Sequence, residues 1–287
     1  MDDARLNALT QRLIAAAPAT AQTPTPDRES TALLCQRLLT LLFPGAFAPD
    51  SAGAGGRAAW TAGQVTRLEV ALTSQLARLP GQNSVTAREL ALEVLDELPE
   101  IRGLVETDVD AAYHNDPSAP DRSTIILSFP CLEALAVQRF AHRLYRRGVP
   151  TLPRMMTEVA HAHTGIDIHP GTKIGESFFI DHGTGVVIGE TSTIGNHCVL
   201  YQGVGLVAWN PLAKDDQGEL RRGQSNKRHP DLEDHVTIYA GAMILGGDTV
   251  IGHHSVIGGN VWLTKSVEPH SVVTIKDPEL QIRKRRI

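Results

Sequence analysis

The chain has 287 residues, of which 42% are apolar, so it is long enough to fold around a sizeable core in one or two domains. A formal net charge of -5 does not suit a surface that follows nucleic-acid phosphates, and no run of residues is long and apolar enough to predict a membrane span. The N-terminus lacks the cationic and then apolar order of a signal peptide, so a cytoplasmic protein that binds neither nucleic acid nor membrane is predicted.

The first half of the chain is predicted to be mostly helical, because apolar residues recur there at helical spacing. The four amphipathic segments cover residues 33–42, 68–79, 89–98 and 132–145. Pro99 is predicted to end the third segment, and Gly148 and Pro150 are predicted to end the fourth. Two polar breaks, ATAQTPTPDRES and DSAGAGGRA, predict a linker and a loop.

From about residue 165 the sequence repeats with a period of six. An aliphatic residue leads each unit, glycine often follows it, and a small residue takes the fifth position. The leading residues are Ile168, Ile174, Ile180, Ile188, Ile194, Leu200, Leu206, Leu232, Ile238, Leu245, Ile251, Ile257 and Leu263. This period predicts a parallel β-helix, in which each unit forms one face of a coil and the leading side chains stack inward. Two extra residues precede Ile188, and the frame slips by one before Leu245.

The repeat lapses between Leu206 and Leu232, where the polar insert VAWNPLAKDDQGELRRGQSNKRHPD is predicted to protrude as a long loop. The predicted class is therefore α+β, with an N-terminal α-helical domain followed by a parallel β-helix of hexapeptide repeats and a protruding loop. The predicted divisions are a flexible N-terminal segment, a helical domain, a β-helix domain and a basic C-terminal tail. They cover residues 1–30, 31–160, 161–275 and 276–287.

Cysteine and histidine spacing predicts no metal site. The cysteines are Cys35, Cys131 and Cys198. They form no C-x-x-C pair and are interpreted as small buried hydrophobes. His161 and His163 are two residues apart, and the adjacent His253 and His254 would point in opposite directions on a strand, so no metal is expected.

The stretch SFFIDHGTGVVIGE, residues 177–190, places Asp181 and His182 side by side in an otherwise aliphatic and glycine-rich run. Two adjacent ionisable groups would lose hydration on burial, so the inside of a coil has no structural use for them. Either they form a polar turn at a coil corner or they take part in chemistry. A neutral imidazole is suited to remove the proton of a hydroxyl nucleophile.

Several motifs in order resemble a known family. DIHPGTKIG, IDHGTGVVIGE, KRHP and IYAGAMILGG, preceded by NDPSA and QRFAHRLYRRG, resemble serine O-acetyltransferase of the hexapeptide-repeat acyltransferase superfamily, roughly over residues 110 to 275. The resemblance implies a left-handed β-helix and a homotrimer with active sites between subunits. It leaves open whether two trimers pair.

The activity that the resemblance implies is transfer of acetyl from acetyl-CoA, the co-substrate, to the hydroxyl of L-serine. The product is O-acetyl-L-serine for cysteine biosynthesis, and L-cysteine would inhibit by occupying the serine site. Some family members bind O-acetylserine sulfhydrylase through a C-terminal isoleucine. This chain ends in Ile287, but four basic residues precede it, so that partner is left open through Ile287 and is not predicted.

The family match also implies roles for individual residues. His182 would be the general base, and Asp167, 15 residues earlier on an adjacent coil, would orient it. Asp116 and Asp181 would bind the ammonium group of serine. Without the other motifs, Asp181 and His182 would be interpreted as a polar turn, and Asp116 as a turn former before Pro117.

Arg228 would bind the substrate carboxylate with its planar guanidinium, and His229 would complete the pocket. For CoA, small residues that let the pantetheine approach the backbone are expected at Ala208, Ala240 and Gly241, although each also fits as a simple coil corner.

Three other functions stay open at this level. An acetyltransferase of the same fold could act on another hydroxyl or amine, such as a sugar. A β-helix metalloenzyme of carbonic anhydrase type would need three histidines around zinc, and a non-catalytic scaffold would leave Asp181 and His182 without a purpose. An acyl-enzyme route through Cys198 would need an exposed thiolate, for which the sequence gives no sign.

Overall fold

The computed structural model describes residues 2–16, 25–47, 56–210, 214–220 and 226–276. Its helices are α1 (Asp3–Ala15), α2 (Arg28–Leu42), α3 (Gly56–Leu76), α4 (Ser84–Leu95), α5 (Leu98–Asn115), α6 (Arg122–Ser128), α7 (Pro130–Arg146) and α8 (Leu152–Thr164). Ile287 and nearly all of the predicted basic tail lie outside the described residues, as do half of the first polar break and two thirds of the second. The described residues 28–30 and 56–58 of these breaks are not loop but the first residues of α2 and α3.

The strands follow the helices. They are β1 (Asp167–Ile168), β2 (Lys173–Ile174), β3 (Phe179–Ile180), β4 (Val187–Ile188), β5 (Thr193–Ile194), β6 (Val199–Leu200), β7 (Gly205–Val207), β8 (Asp231–Leu232), β9 (Thr237–Ile238), β10 (Met243–Leu245), β11 (Val250–Ile251), β12 (Val256–Ile257), β13 (Trp262–Leu263) and β14 (Val272–Val273). The predicted order, helices and then short repeated strands, is confirmed.

Helices α2, α3 and α7 confirm three of the predicted segments. The prediction that Pro99 ends a helix is wrong, since α4 ends at Leu95 and Pro99 lies in the first turn of α5. The first N–H groups of a helix have no partner within it, so proline is tolerated there and favours a start over a stop. Helix α1 has no buried residue, and the domain boundaries stay predictions.

Helix α7 is the centre of the helical domain. It packs against α2, α4, α5 and α8, and both α7 and α8 contact β1 of the first coil. Its side chains Leu132, Leu135 and Phe140 are at most 1% exposed. In the described residues no single helix is long and apolar enough to cross a membrane, although α6 and α7 together, bent by 75°, meet the length and composition.

The strands form a parallel β-helix with three faces. Sheet A has the order β1-β4-β7-β10-β13, sheet B the order β11-β8-β5-β2, and sheet C the order β14-β12-β9-β6-β3. Nearly every predicted leading residue is the second residue of its strand and points inward. One prediction is wrong: Ile244, not Leu245, pairs with Leu206 and Leu263, so the extra residue comes after Ile244.

The corners of the coil are named by the sheets that they join. The C–A corner comprises residues 181–186, 201–204, 239–242 and 258–261. The A–B corner comprises residues 169–172, 189–192, 208–210, 226–230 and 246–249, with the described insert residues 214–220 between the third and fourth of these segments. The B–C corner comprises residues 175–178, 195–198, 233–236, 252–255 and 268–271. The insert after β7 leaves the coil at the A–B corner, and its described residues 214–219 are exposed.

A buried ion pair joins the helical domain to the first coil. Arg139 of α7 binds both oxygens of Asp108 of α5, at 2.8 and 2.7 Å, and the two side chains are 4% and 0% exposed. The same guanidinium donates to the carbonyls of Ile174 and Gly175, while the N–H of Phe178 donates to Asp108. Burial raises the pKa of Asp108, and the bonds from Arg139 oppose that by stabilising its charged form.

Replacing one partner of this pair should destabilise the protein strongly, because it leaves the other charge buried and the two carbonyls unbonded. We expect Arg139→Ala to lower the free energy of unfolding by about 3–5 kcal/mol in urea titrations. The control is Arg102→Ala, since Arg102 pairs with Glu106 on an exposed helix surface; its cost should stay below about 1 kcal/mol. Equal losses in the two variants would contradict a structural role for the buried pair.

Candidate active site

His182 lies on a part of the C–A corner that is longer than its neighbours. The N–H of Asp181 donates to the carbonyl of Leu200 at 2.8 Å, so Asp181 keeps the register of the next coil. His182 and Gly183 then take left-handed backbone angles, with φ of 56° and 84°. Because this corner has two more residues than the next one, it bulges outward, and the side chain of His182 is 73% exposed.

Two carboxylates accompany His182. Asp181 Oδ1 lies 3.7 Å from His182 Nδ1, and Asp116, which ends α5, accepts the N–H of Ser118. Burial raises the pKa of Tyr201, and the charges of Tyr239, Asp181 and Asp116 add to that rise. Both aspartates therefore lie close enough to act on one phenol. We call Asp116, Asp181 and His182 the C–A cluster.

Asp167 does not belong to that cluster in a single chain. Its carboxylate is bound by Arg154 of α8, with Nη1 at 2.8 Å from Oδ1. Burial lowers the pKa of Arg154, but its bonds to Asp167 and Glu158 raise it by more. No hydrogen bond joins Asp167 to His182 among the described residues, so the orienting role of Asp167 stays a prediction.

The second group of predicted residues lies at the A–B corner, around a partly buried glutamate. The guanidinium of Arg228 and the hydroxyl of Tyr145 both bind Glu190, which is 11% exposed. Burial raises the pKa of Glu190, but the bonds from Tyr145 and Arg228 outweigh that and hold the pKa below its ordinary value. The carboxylate therefore stays charged and fixes Arg228 at the coil surface. We call Glu190, Arg228 and His229 the A–B cluster.

His229 is held as a neutral imidazole. The N–H of Thr191 donates to His229 Nδ1 at 3.2 Å, which assigns the ring proton to Nε2. Burial, and then the positive charge of Arg228, lowers the pKa of His229 to about 4. The ring therefore stays uncharged at physiological pH and offers a single N–H donor next to Arg228.

The ring of His229 packs directly against the backbone of Gly189. A Cβ atom at Gly189 would be 1.9 Å from Cδ2 of His229, which no real contact allows. Glycine is thus required here by the close approach of the ring. At Gly241 it is favoured by a φ of 72° and by Asn260, whose Oδ1 lies 2.4 Å from the Cβ position.

Sheet A separates the two clusters. His182 precedes β4 and Glu190 follows it, and the four residues of extended chain from Val186 to Glu190 cover roughly 13 Å. Within the described part of the chain, no hydrogen bond or ion pair links the two clusters. Within a single chain, the C–A cluster and the A–B cluster therefore do not form one site.

The residues predicted to contact CoA are divided in the same way. Ala240 and Gly241 lie at the C–A corner, two coils along from His182, while Ala208 lies at the A–B corner beside Glu190. All three are partly exposed. A ligand along sheet A could thus meet all three only if it touched both edges of that sheet.

The sequence analysis missed Glu190, Tyr145 and Gly189. Glu190 had a signal, since it is an acidic residue at a coil corner of the SFFIDHGTGVVIGE stretch. Tyr145 had none, because it lies on α7 and only packing brings it to the coil. The need for glycine at position 189 depends on a ring that is 40 residues later in the chain.

The prediction for His253 and His254 is wrong. They lie in a turn between β11 and β12, not on a strand, so their side chains do not alternate. Their Nδ1 atoms are 3.1 Å apart, and His270 completes a set whose ring nitrogens lie within 4.8 Å of one another. This set lies at the B–C corner, away from both clusters.

A β-helix of hexapeptide units with an exposed imidazole at a corner, preceded by a helical domain, is the architecture expected of a hexapeptide-repeat acyltransferase. No family model matches the sequence. The plasmid-encoded serine acetyltransferase of Synechococcus elongatus is 43% identical over 265 residues, which cover 88% of this chain and 82% of that protein. The chain belongs to the serine acetyltransferase family.

Solved structures agree with that assignment. Serine acetyltransferase 1 of Entamoeba histolytica, in complex with L-cysteine, matches with a TM-score of 0.76 and 38% identity over 85% of this chain and 86% of that one. The enzyme of Neisseria gonorrhoeae in complex with serine matches with a TM-score of 0.57 and 26% identity over 85% and 95%. The predicted fold class, a helical domain followed by a left-handed β-helix, is confirmed.

The importance of the contact between Gly189 and His229 for acetyl transfer can be tested by substitution. We expect Gly189→Ala to displace the ring and lower the rate of acetyl transfer about 100-fold, because misplacing a site group by an ångström costs about that much. The control is Gly103→Ala on α5, where a Cβ atom meets nothing within 4 Å; its rate should equal that of the native chain. A native rate in Gly189→Ala would show that the position of His229 is irrelevant.

Proposed function

We propose that this chain forms O-acetyl-L-serine by direct transfer of acetyl from acetyl-CoA, with His182 as the general base. The observation that carries the proposal is the outward corner at His182, where an exposed imidazole stands beside the carboxylate of Asp181. An alcohol is a weak nucleophile at neutral pH, so a base within reach of its proton is the first requirement. Family membership supports the choice of serine.

The transfer would proceed through a tetrahedral intermediate. His182 takes the hydroxyl proton as the serine oxygen bonds to the thioester carbon, giving a tetrahedral intermediate with a negative oxygen. The C–S bond then breaks, the carbonyl re-forms, and the CoA sulfur leaves with the proton held by His182. Backbone N–H groups at the coil corner are suited to stabilise the oxyanion.

The charges of the two clusters suit the two charged groups of an amino acid. Asp116 and Asp181 would bind the ammonium group, and Arg228, held by Glu190, would bind the carboxylate with its planar guanidinium. His229 would donate from Nε2 beside it. L-cysteine carries the same ammonium and carboxylate, so it would occupy the same site as an inhibitor.

The separation of the clusters supports assembly as a homotrimer. An amino acid carries its ammonium and carboxylate on one carbon, so it cannot bridge the roughly 13 Å between the edges of sheet A. A second copy that presents its A–B corner to the C–A corner of the first would complete the site, and a closed ring of such contacts has cyclic symmetry. Sheet A also exposes apolar side chains for such contact, with Trp262 63% and Val187 39% exposed.

In the same assembly, acetyl-CoA would contact both edges of sheet A, one edge from each of two chains. The co-substrate would run between two chains, along Ala240 and Gly241 of one and Ala208 of its neighbour. Small residues at these corners let a flexible chain approach the backbone closely. The thioester carbon would then lie next to His182.

An acyl-enzyme route through Cys198 is not supported. Cys198 is 0% exposed, and burial raises the pKa of its thiol to about 12. A buried thiol in this state does not supply the thiolate that attack requires. Cys35 and Cys131 are buried as predicted, and burial raises the pKa of each to about 12 as well.

The proposed reaction is tested by following free CoA with a thiol reagent in the presence of acetyl-CoA and L-serine. We expect His182→Ala to lower the serine-dependent rate by 100-fold to 10,000-fold, the usual contribution of a general base. His163→Ala, at an exposed position on α8, is the matched control and should keep the native rate. D-serine and a sugar alcohol should release little CoA. Rapid CoA release with the sugar alcohol but not with L-serine would contradict the assignment of serine as the acceptor.

The composite site is tested by mixing two inactive variants. We expect His182→Ala and Arg228→Ala each to be inactive as separate preparations. After subunit exchange at equal concentration, about a quarter of the interfaces of a cyclic trimer would pair an intact His182 with an intact Arg228 on the next chain. Activity should then recover to about that fraction. Failure to recover, when mass analysis shows that mixed trimers have formed, would place the whole site in one chain.

A further inference from the structure

The B–C corner carries a column of histidines that neither cluster uses. One position on each of five successive coils has a left-handed φ between 55° and 59°. The five residues are Ser177, His197, His235, His254 and His270. Five of the twelve histidines of the chain, counting His253, thus meet at this one corner.

The rings of the column stack on one another. The centroids of His197 and His235 are 4.7 Å apart, those of His235 and His254 4.5 Å, and those of His254 and His270 5.0 Å. The angles between neighbouring ring planes are 10°, 29° and 24°. Stacking follows from the register of the β-helix, which places equivalent residues one strand spacing apart.

The left-handed backbone at this corner explains a polar residue at each of the five positions, but it does not explain why His253 also joins the histidines. Histidine, asparagine and aspartate are enriched at positive φ, so backbone angles alone permit His254 and His270. The C–A corner meets a similar demand with Gly203, Gly241 and Asn260 instead. His253 needs another explanation, because it is not among the residues with positive φ and yet its ring crosses those of His254 and His270 at 85° and 88°.

We propose that His253, His254 and His270 bind a divalent transition-metal ion, with Zn²⁺ as the best match. Their ring nitrogens lie within 4.8 Å of one another, and Nδ1 of His253 is 3.1 Å from Nδ1 of His254. Two nitrogens bound to one tetrahedral Zn²⁺ at about 2.0–2.1 Å each stand about 3.3 Å apart. The observed pair is thus close to ligand spacing before any metal is added.

The surroundings favour a cation. Imidazole binds a metal through a neutral ring nitrogen. The carboxylate of Glu233 accepts the backbone N–H of His253 at 2.8 Å, so an acidic residue adjoins the set. Three imidazoles leave a fourth coordination position for water.

The other possible ligand set in the described residues is already occupied by a cation. Glu158, His161 and Asp167 also bring their ligand atoms within 4.8 Å of one another, but both carboxylates bind the guanidinium of Arg154. A metal ion there would be repelled by the arginine. His161 therefore provides a matched control.

A metal at the B–C corner would act on stability and not on acetyl transfer. His253 and His254 lie on one coil and His270 on the next, so the ion would tie together the last described turns of the β-helix. The corner is separate from both the C–A cluster and the A–B cluster. An ion that binds only the folded chain raises its stability in proportion to its occupancy.

The test uses the full-length chain without a purification tag, stripped with EDTA and dialysed against Zn²⁺. We expect uptake of one Zn²⁺ per chain by elemental analysis and a higher melting temperature with Zn²⁺ than without it. His270→Asn and His253→Asn should each weaken Zn²⁺ binding at least tenfold. Losing a residue that only hydrogen-bonds to a metal ligand already lowers metal affinity about tenfold or more, and these two histidines would be ligands themselves. Asparagine suits the left-handed backbone at position 270, so that variant should fold.

His161→Asn should take up Zn²⁺ like the native chain, and all these variants should release CoA at the native rate in metal-free buffer. The proposal is overturned if the native chain takes up no Zn²⁺, if His270→Asn and His253→Asn bind it as well as the native chain, or if only His161→Asn loses it. These outcomes do not depend on whether serine is the acceptor.

Discussion

The constraint on which this structure depends is the register of a three-sided parallel coil. Each turn must bring the same sequence position to the same corner or face, because the strands of successive turns bond to one another in parallel. Inward positions therefore stack as a column of aliphatic side chains. Where two residues are added, as at His182, the column cannot absorb them, and the chain must bulge outward. The exposed imidazole follows directly from that insertion.

A second consequence is that chemistry at one corner cannot reach the next within the same chain. His182 and Asp181 lie at one edge of sheet A, and Glu190, Arg228 and His229 lie at the other. The insert after β7 adds to the second edge, because its return places Arg228 and His229 beside Glu190. Under the proposed function, the width of one face would make activity depend on assembly. A neutral His229 and a charged Glu190 lie at the edge that a neighbouring chain would then use.

The helical domain is attached to this coil by polar contacts as well as by packing. Arg139 and Asp108 are both buried, and together they bond to three backbone groups of the first coil. Those groups lie at the end of β2 and in the turn between β2 and β3, which leads to Asp181. The position of α5, whose end carries Asp116, is therefore tied to the coil that carries His182.

The sequence by itself determined the parallel β-helix, since an aliphatic residue at every sixth position is a property of the chain that no other element requires. The two extra residues before Ile188 and the resemblance to the family were also visible in the sequence. Tertiary structure alone decided the partners: Arg154 for Asp167, Tyr145 and Arg228 for Glu190, and the convergence of His253 with His270. Periodicity reports which way a side chain faces relative to its own element. It cannot report what a corner meets when residues 13 to 45 positions apart are brought together by coiling and by a packed helix.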